Sequence, residues 1–248
     1  KGRAIVNLIG CEPDEKVSAF IGVKQDQFHD DHFVVMATEK GIVKKTKLSA
    51  YSNPRKKGIY AVEIREGDSL IEARVSNGEN DILLGTTNGK SIRFSEEQIR
   101  PSGRKTMGVK GITLSSKDDK VVGMLLIKRE GTVLVATENG FGKRTEIIQY
   151  RAQKRGGKGV LTMKTTDKIG KMITIKEVVG TDDLMIIRDD GVLIRMPVSQ
   201  IRSIGRATQG VKLIKLAEGT KVSAITRIIS EEEKTADEPE NNPEPQDA

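Results

Sequence analysis

The chain has 248 residues, of which 36% are hydrophobic and 3% aromatic, and it contains no Trp. This apolar fraction suffices for a core, which must be aliphatic, and no apolar stretch is long enough to span a bilayer. Cys11 is the only cysteine, which excludes an internal disulfide and favours a reducing compartment. We therefore expect a soluble protein of the cytoplasm, without a signal peptide.

The net charge of +7 is unevenly distributed along the chain. Residues 230–248 contain eight acidic residues and one Lys, whereas residues 1–229 contain 41 basic and 27 acidic residues. The acidic segment has three Pro and almost no apolar residue, which predicts a disordered tail. The basic body favours a polyanionic partner, with which such a tail would compete. A merely solvating terminus is the alternative.

One pattern of residues recurs four times from the N-terminal part of the chain onward. Each copy has an apolar strand, a Gly turn, a second strand with a cation, a basic loop and a second Gly before further apolar residues. The first glycines are Gly41, Gly89, Gly140 and Gly191, at spacings of 48, 51 and 51 residues. The second glycines are Gly58, Gly108, Gly159 and Gly210, at spacings of 50, 51 and 51 residues. Such a period predicts a radial or stacked array of small units.

The predicted units begin with a partial one. Residues 1–28 match only the second half of a repeat, with Gly2 in the place of the second glycine. The complete repeats are predicted at 29–80, 81–131, 132–182 and 183–229. A partial unit at the start indicates that a further unit precedes Lys1.

Each repeat opens with a short strand rich in β-branched residues. The predicted strands are Phe33–Thr38, Asp81–Thr87, Thr132–Thr137 and Asp183–Arg188. Pairs such as Asn88-Gly89 and Asp190-Gly191 predict two-residue hairpin turns in which both residues have positive φ. No segment has the pattern of a long amphipathic helix. We therefore predict an all-β fold with about four strands in each unit.

Basic residues recur at fixed places in the repeats. A cation lies four residues after each first glycine, and Arg lies four residues before three of the second glycines. A cation repeated once per unit along one edge would form a track for a nucleic-acid backbone, although a solvated basic face is the alternative. The scarcity of aromatics favours duplex over single-stranded ligands. The predicted contacts are Lys45, Arg55, Lys56, Lys57, Arg93, Arg104, Lys105, Lys143, Arg144, Arg195 and Arg206.

The most specific stretch is the loop Gln153-Lys154-Arg155-Gly156-Gly157-Lys158-Gly159. Its glycines permit a close backbone approach and expose N–H groups, and cations flank them, which predicts contact with phosphate. The loop is not a nucleotide-binding P-loop, because the GxxxxGK[ST] pattern is absent and no helix follows.

This loop, preceded by Tyr150-Arg151-Ala152, resembles the seven-residue box of the C-terminal domain of the DNA gyrase A subunit. The repeats VVMATEKGIVKKT and VLVATENGFGKRT are also similar to that family, and the resemblance covers residues 1–229. It implies a β-pinwheel, a propeller-like disc whose blades exchange strands, that wraps duplex DNA without sequence specificity. The family usually has six blades with the box in the first. The loop in the third complete repeat would then be a secondary box.

The resemblance also implies partners and cofactors. These are duplex DNA, the N-terminal part of gyrase A, and gyrase B in an A2B2 complex near the bacterial chromosome. That complex uses ATP and Mg to introduce negative supercoils. The catalytic tyrosine and ATPase are absent here, so this chain alone should catalyse nothing. The alternatives are a protein-binding propeller scaffold and the C-terminal domain of the topoisomerase IV A subunit.

Other candidate sites are weak. The run His29-Asp30-Asp31-His32 is interpreted as a solvated loop, so no metal site is expected. Tyr51 and Tyr150 align with Ile99 and Ile201 of the other repeats, which predicts that they pack in the core.

Overall fold

The computed structural model describes residues 15–24, 28–29, 31–55 and 58–228. Within these residues it shows fifteen β-strands, four short 3-10 turns and no α-helix, which confirms the all-β prediction. The strands, β1 to β15, are Phe33–Thr38, Ile42–Lys47, Leu70–Ser76, Asp81–Thr86, Lys90–Ser95, Val109–Lys110, Val121–Ile127, Thr132–Thr137, Phe141–Glu146, Val160–Leu161, Met172–Val178, Asp183–Arg188, Leu193–Pro197, Val211–Lys212 and Val222–Ile228. The 3-10 turns are Leu48–Tyr51, Glu96–Gln98, Ile147–Gln149 and Val198–Gln200. The predicted tail at 230–248 and most of the partial unit, including Cys11, lie outside the described residues.

The first two strands of each repeat form an antiparallel hairpin, as the sequence predicted. In the first hairpin Ala37 pairs with Val43, and the Gly41 N–H donates to the Thr38 carbonyl over 3.0 Å. Gly41 has a φ of 81°, whereas every non-glycine residue in the described part of the chain has negative φ. The prediction of two positive-φ residues per turn was therefore wrong. The connection is a three-residue loop with Gly alone in the left-handed region.

Neighbouring repeats exchange strands at one edge of each sheet. The first sheet has the order β3-β1-β2-β6, so the second repeat supplies its last strand. The second and third sheets, β7-β4-β5-β10 and β11-β8-β9-β14, are completed by the third and fourth repeats. The fourth sheet, β15-β12-β13, has three strands among the described residues. We call these sheets blades 1 to 4; each of the first three crosses a sequence boundary between repeats.

The blades pack face to face in chain order. Their inner strands β3, β7, β11 and β15 contact one another in succession, which places the exchanged strands at the outer edge. On β4, Ile82 and Leu84 pack in the core shared with blade 1, whereas Leu83 packs in the core shared with blade 3. Side chains alternate between the faces of a strand. A strand packed on both faces is therefore apolar throughout, as the sequence DILLGT is.

Candidate nucleic-acid interface

The repeated cation that follows the first glycine lies between blades. Lys45 is 4% exposed, and its Nζ lies 3.0 Å from the Glu96 carbonyl oxygen and 3.7 Å from the Glu96 carboxylate. The same Nζ lies 4.9 Å from the centre of the Phe33 ring. Glu96 belongs to the next repeat and is itself buried. The ammonium thus joins two repeats and is not presented to solvent, which does not favour the predicted DNA contact of Lys45.

Arg93 and Arg144 occupy the equivalent position in the next two repeats. Arg93 Nε donates to the Asp81 carboxylate over 2.7 Å, and its Nη1 lies 3.3 Å from the carbonyl oxygens of Ile147 and Tyr150. Arg144 Nε donates over 2.8 Å to the Ile201 carbonyl. These carbonyls lie along or just after the 3-10 turn of the following repeat. The guanidinium groups therefore bond successive repeats together.

Arg195 is the exception in this series. Its side chain is 64% exposed, and its Nε donates to the Asp183 carboxylate over 2.7 Å. Within the described residues no further repeat supplies carbonyls to it. Arg195 is thus accessible to a ligand, with its charge partly balanced by Asp183.

Lys143 was predicted to contact DNA, but the structure places it in the interior. It is 0% exposed, and its Nζ donates to the Gly205 carbonyl over 2.6 Å, to the Arg206 carbonyl and to Thr208 Oγ1 over 3.0 Å. Burial, with Arg206 nearby, lowers the pKa of Lys143 to about 8. A buried ammonium cannot touch phosphate in this conformation.

The arginines of the basic loops hold the exchanged strands or the segment that corresponds to them. Nη1 of Arg155 lies 3.1 Å from the Lys110 carbonyl, and Nη1 of Arg206 lies 2.8 Å from the Leu161 carbonyl. Nη1 of Arg104 lies 3.4 Å from the equivalent carbonyl of Tyr60. All three side chains are half-buried. They fix the loops and leave part of each guanidinium open to solvent.

The box-like loop, residues 153–159, packs closely on the second blade. Its N–H groups at Gln153 and Gly156 donate to the carbonyls of Arg93 and Gly111 over 2.8 and 2.6 Å. A Cβ on Gly159, whose φ is 69°, would lie 2.3 Å from the Ser91 carbonyl oxygen. The close approach that these glycines permit is therefore made to the protein's own backbone. The side chains of Lys154 and Lys158 remain exposed.

A second series of arginines, which the sequence pattern did not single out as DNA contacts, lies on the surface. Arg100, Arg151 and Arg202 each follow the buried residue that ends a 3-10 turn, and all three are exposed. Their side chains form no hydrogen bond or ion pair with the part of the chain that the structure describes. Their exact spacing of 51 residues was the available signal. Each precedes a basic loop by a few residues, so the two kinds of cation share the outer region of the blades.

Exposed cations of the loops complete this surface. Arg55, Lys105, Lys154 and Lys158 are exposed and have no side-chain partner among residues 15–24, 28–29, 31–55 and 58–228. Lys56 and Lys57, also predicted to contact DNA, lie outside the described residues. We define the rim set as Arg55, Arg100, Lys105, Arg151, Lys154, Lys158 and Arg202.

Comparison with known proteins decides the family. The family model described as "DNA gyrase C-terminal domain, beta-propeller" matches residues 32–77, 80–128, 131–178 and 182–228. The chain belongs to the DNA gyrase C-terminal domain family. It is 43% identical to the DNA gyrase A subunit of Staphylococcus aureus (strain NCTC 8325 / PS 47) over 98% of this chain and 27% of that protein. It is 44% identical to the Staphylococcus epidermidis counterpart over 94% of this chain and 26% of that protein. The chain thus spans about a quarter of the length of these relatives.

Solved structures of the gyrase C-terminal domain and of its topoisomerase IV counterpart share this fold. A DNA gyrase A C-terminal domain matches with a TM-score of 0.82 at 20% identity, over 92% of this chain and 76% of the other. The C-terminal domain of DNA topoisomerase IV matches with a TM-score of 0.84 at 23% identity, over 92% and 70%. The fold does not separate the two relatives, whereas the sequence identity to gyrase A supports the gyrase assignment.

The remaining candidate positions of this gyrase-family domain are structural or peripheral. Tyr150 is 1% exposed and packs in the core, as predicted, and the Tyr51 hydroxyl donates to the Ala61 carbonyl over 3.0 Å. His32 Nδ1 lies 2.9 Å from the exposed carboxylate of Asp31. Within the described ranges, no three His, Cys, Asp or Glu side chains are grouped to hold a metal ion. The same ranges contain no helix long and apolar enough to cross a membrane.

Proposed function

We propose that this chain binds and wraps duplex DNA around the outer region of its blades, as the C-terminal part of a DNA gyrase A subunit. The observation that carries the proposal is the arginine series at 100, 151 and 202, which is exposed, free of partners in the described ranges and repeated once per blade. Together with the loop lysines it gives each blade several cations that a phosphate backbone can reach. Such contacts position DNA without reading its sequence.

Duplex DNA is the ligand that the composition favours. Single-strand binders use aromatic side chains as platforms for bases, and only 3% of this chain is aromatic. Tyr60 and Phe20 are the largest exposed aromatics in the described ranges, and they do not recur from blade to blade. Bending a site of 20–30 bp by 40–90° costs about 1–6 kcal/mol. Phosphate contacts repeated on successive blades would offset that cost.

The wider setting follows from the relatives that the chain matches. We propose that the protein acts in the bacterial cytoplasm with the N-terminal part of gyrase A and with gyrase B as an A2B2 complex. The whole complex would use ATP and Mg to introduce negative supercoils, and this domain would supply the wrapped segment.

The direct test removes three rim charges at once. The variant R100Q/R151Q/R202Q should bind a duplex of about 40 bp more weakly, because each lost phosphate contact lowers the salt slope of log K by about 0.9. Fluorescence anisotropy between 50 and 300 mM salt measures both quantities. Since the three side chains have no partners in the described part of the chain, the unfolding free energy should stay within about 0.5 kcal/mol.

The matched control is R65Q/K117Q/K168Q. These three cations are also exposed, but they lie in the turns that precede the inner strands. The control removes the same charge and should change the salt slope much less. Equal effects of both triple variants would show that only net charge matters, and the rim proposal would then be wrong.

Wrapping is tested separately from binding. Nicked circular DNA ligated with the parent chain bound should acquire a positive linking difference, which the R100Q/R151Q/R202Q variant should reduce. Binding without any linking difference would restrict the function of this chain to duplex binding.

A further inference from the structure

Two lysines lie beneath basic loops of the following repeats. Lys44 is 1% exposed, and its Nζ donates to the carbonyls of Arg104 and Ala61 over 2.5 and 2.9 Å. Lys143 donates to the carbonyls of Gly205 and Arg206 and to Thr208 Oγ1. Each lysine is the third residue after the first glycine of its repeat. In both cases the acceptors belong mainly to the loop that begins the exchanged segment of the next repeat.

The remaining repeats have isoleucine at this position. Ile92 is fully buried, and the loop above it is the box-like one. A Cβ built on Gly157 of that loop would lie 3.4 Å from Ile92 Cδ1, so the loop rests on the isoleucine in ordinary contact. An isoleucine offers no donor, and the Gly156 and Gly157 carbonyls instead accept from Thr113 Oγ1 and Thr113 N over 2.6 and 2.8 Å.

The loop sequence changes together with the residue beneath it. Above Lys44 and Lys143 the loops read G-R-K-T-M-G at 103–108 and G-R-A-T-Q-G at 205–210. Above Ile92 the loop reads K-R-G-G-K-G at 154–159. The Thr of the first type occupies the place of Gly157, and in the fourth repeat its hydroxyl contacts the ammonium. Carbonyls and a hydroxyl match a three-donor ammonium, whereas two glycines match a branched apolar side chain.

We propose that Lys44 and Lys143 are positioning residues for the rim loops, and that a Lys or Ile at this position determines which of the two loop types the blade can hold. Each ammonium ties a loop of the next repeat to the blade beneath it. The proposal rests on the proposed function only in that these loops carry rim cations. Their attachment to the blade is independent of DNA.

The charge state fits a positioning role. Burial lowers the pKa of both lysines to about 8, so the ammonium form predominates at neutral pH. Neither ammonium forms an ion pair with a carboxylate in the described part of the chain. Burying a cation without a counter-charge is costly, and an apolar side chain of similar volume is often as stable. The lysines are therefore better explained by the carbonyls they orient than by net stability.

The first test uses K143M and K44M in the full chain, each as the control for the other. K143M should expose the loop at 203–210, so that trypsin cleaves after Arg206 about tenfold faster, while cleavage after Arg104 and Lys105 is unchanged. K44M should give the reverse. Affinity for duplex DNA should fall several-fold in both. Circular dichroism checks that the variants fold, and if one does not, the other carries the test.

Unchanged protection of Arg206 in K143M, or equal exposure of both loops in either variant, would overturn the positioning role. If the parent chain does not bind duplex DNA, the proposed function fails while the cleavage pattern still decides this inference.

The second test examines the match between loop and blade. The graft G205K/A207G/T208G/Q209K converts the loop above Lys143 to K-R-G-G-K-G, and K143I converts the residue beneath it. Each change alone should lower the Tm, and the combination should have a higher Tm than either. A combined Tm that is no higher than that of the graft alone would overturn the matching rule.

Discussion

Two series of cations run through this chain at nearly the same period, and the structure uses them differently. Arg93 and Arg144 donate to carboxylate and carbonyl groups within and between repeats. Arg100 and Arg151, seven residues further along, are exposed and have no partner among the described residues. A repeated charge therefore has two possible roles, contact with a ligand or contact with the next copy of the unit. The partners of the side chain decide between them.

The largest effect that would sharpen this comparison is expected at Arg93. Replacing it in R93M should lower the unfolding free energy by about 2–3 kcal/mol, because the Asp81 carboxylate and two carbonyls lose a charged donor. Urea unfolding followed by circular dichroism measures it. DNA affinity at a temperature where the variant is folded should change little. A large loss of affinity with full stability would place Arg93 among the ligand-binding cations instead.

A smaller effect concerns pH and separates buried from exposed cations. Lys143 has a pKa of about 8 in the folded chain and an ordinary value of 10.5 when unfolded. Between these values the unfolded chain binds the extra proton, so the unfolding free energy rises with pH by about 1.4 kcal/mol per unit for this group. Below pH 8 both states are protonated and the contribution is constant.

The pH effect is measured by comparing the parent chain with K143M at pH 7.5 and pH 9.5. The parent should gain about 1–2 kcal/mol relative to the variant at the higher pH. Parallel pH dependences in the two proteins would mean that Lys143 titrates normally. Substitution of the exposed Lys168 by Met serves as the control and should leave the dependence unchanged.

The smallest effect is expected at Arg195, which tests the comparison within a single series. Its ion pair with Asp183 is largely exposed, so R195Q should cost less than about 1 kcal/mol. The contrast with R93M isolates the contribution of the next repeat's carbonyls. A cost as large as that of R93M would show that the carboxylate partner, and not the carbonyls, dominates at both positions.

The sequence predicted the repeats, the hairpins and the aliphatic core, because apolar periodicity and glycine spacing are local signals. It did not distinguish Arg93 from Arg100, because equal spacing places residues at equivalent points but does not say which neighbour they meet. Burial of Lys143 could have been inferred, since the aligned residues of the neighbouring repeats are Ile92 and Ile194. Strand exchange came only from the family resemblance. The pairing of Ile42 with Lys110 spans more than a whole repeat and leaves no local trace.

Strand exchange also affects how the chain is expected to acquire its structure during synthesis. When β1 to β3 have left the ribosome, blade 1 still lacks β6, which belongs to the following repeat. Until Val109 and Lys110 emerge, the edge of β2 is an open template for strands of other nascent chains. Each blade therefore depends on its successor for completion. Pauses in translation within a repeat should favour misassembly more than pauses after an exchanged strand.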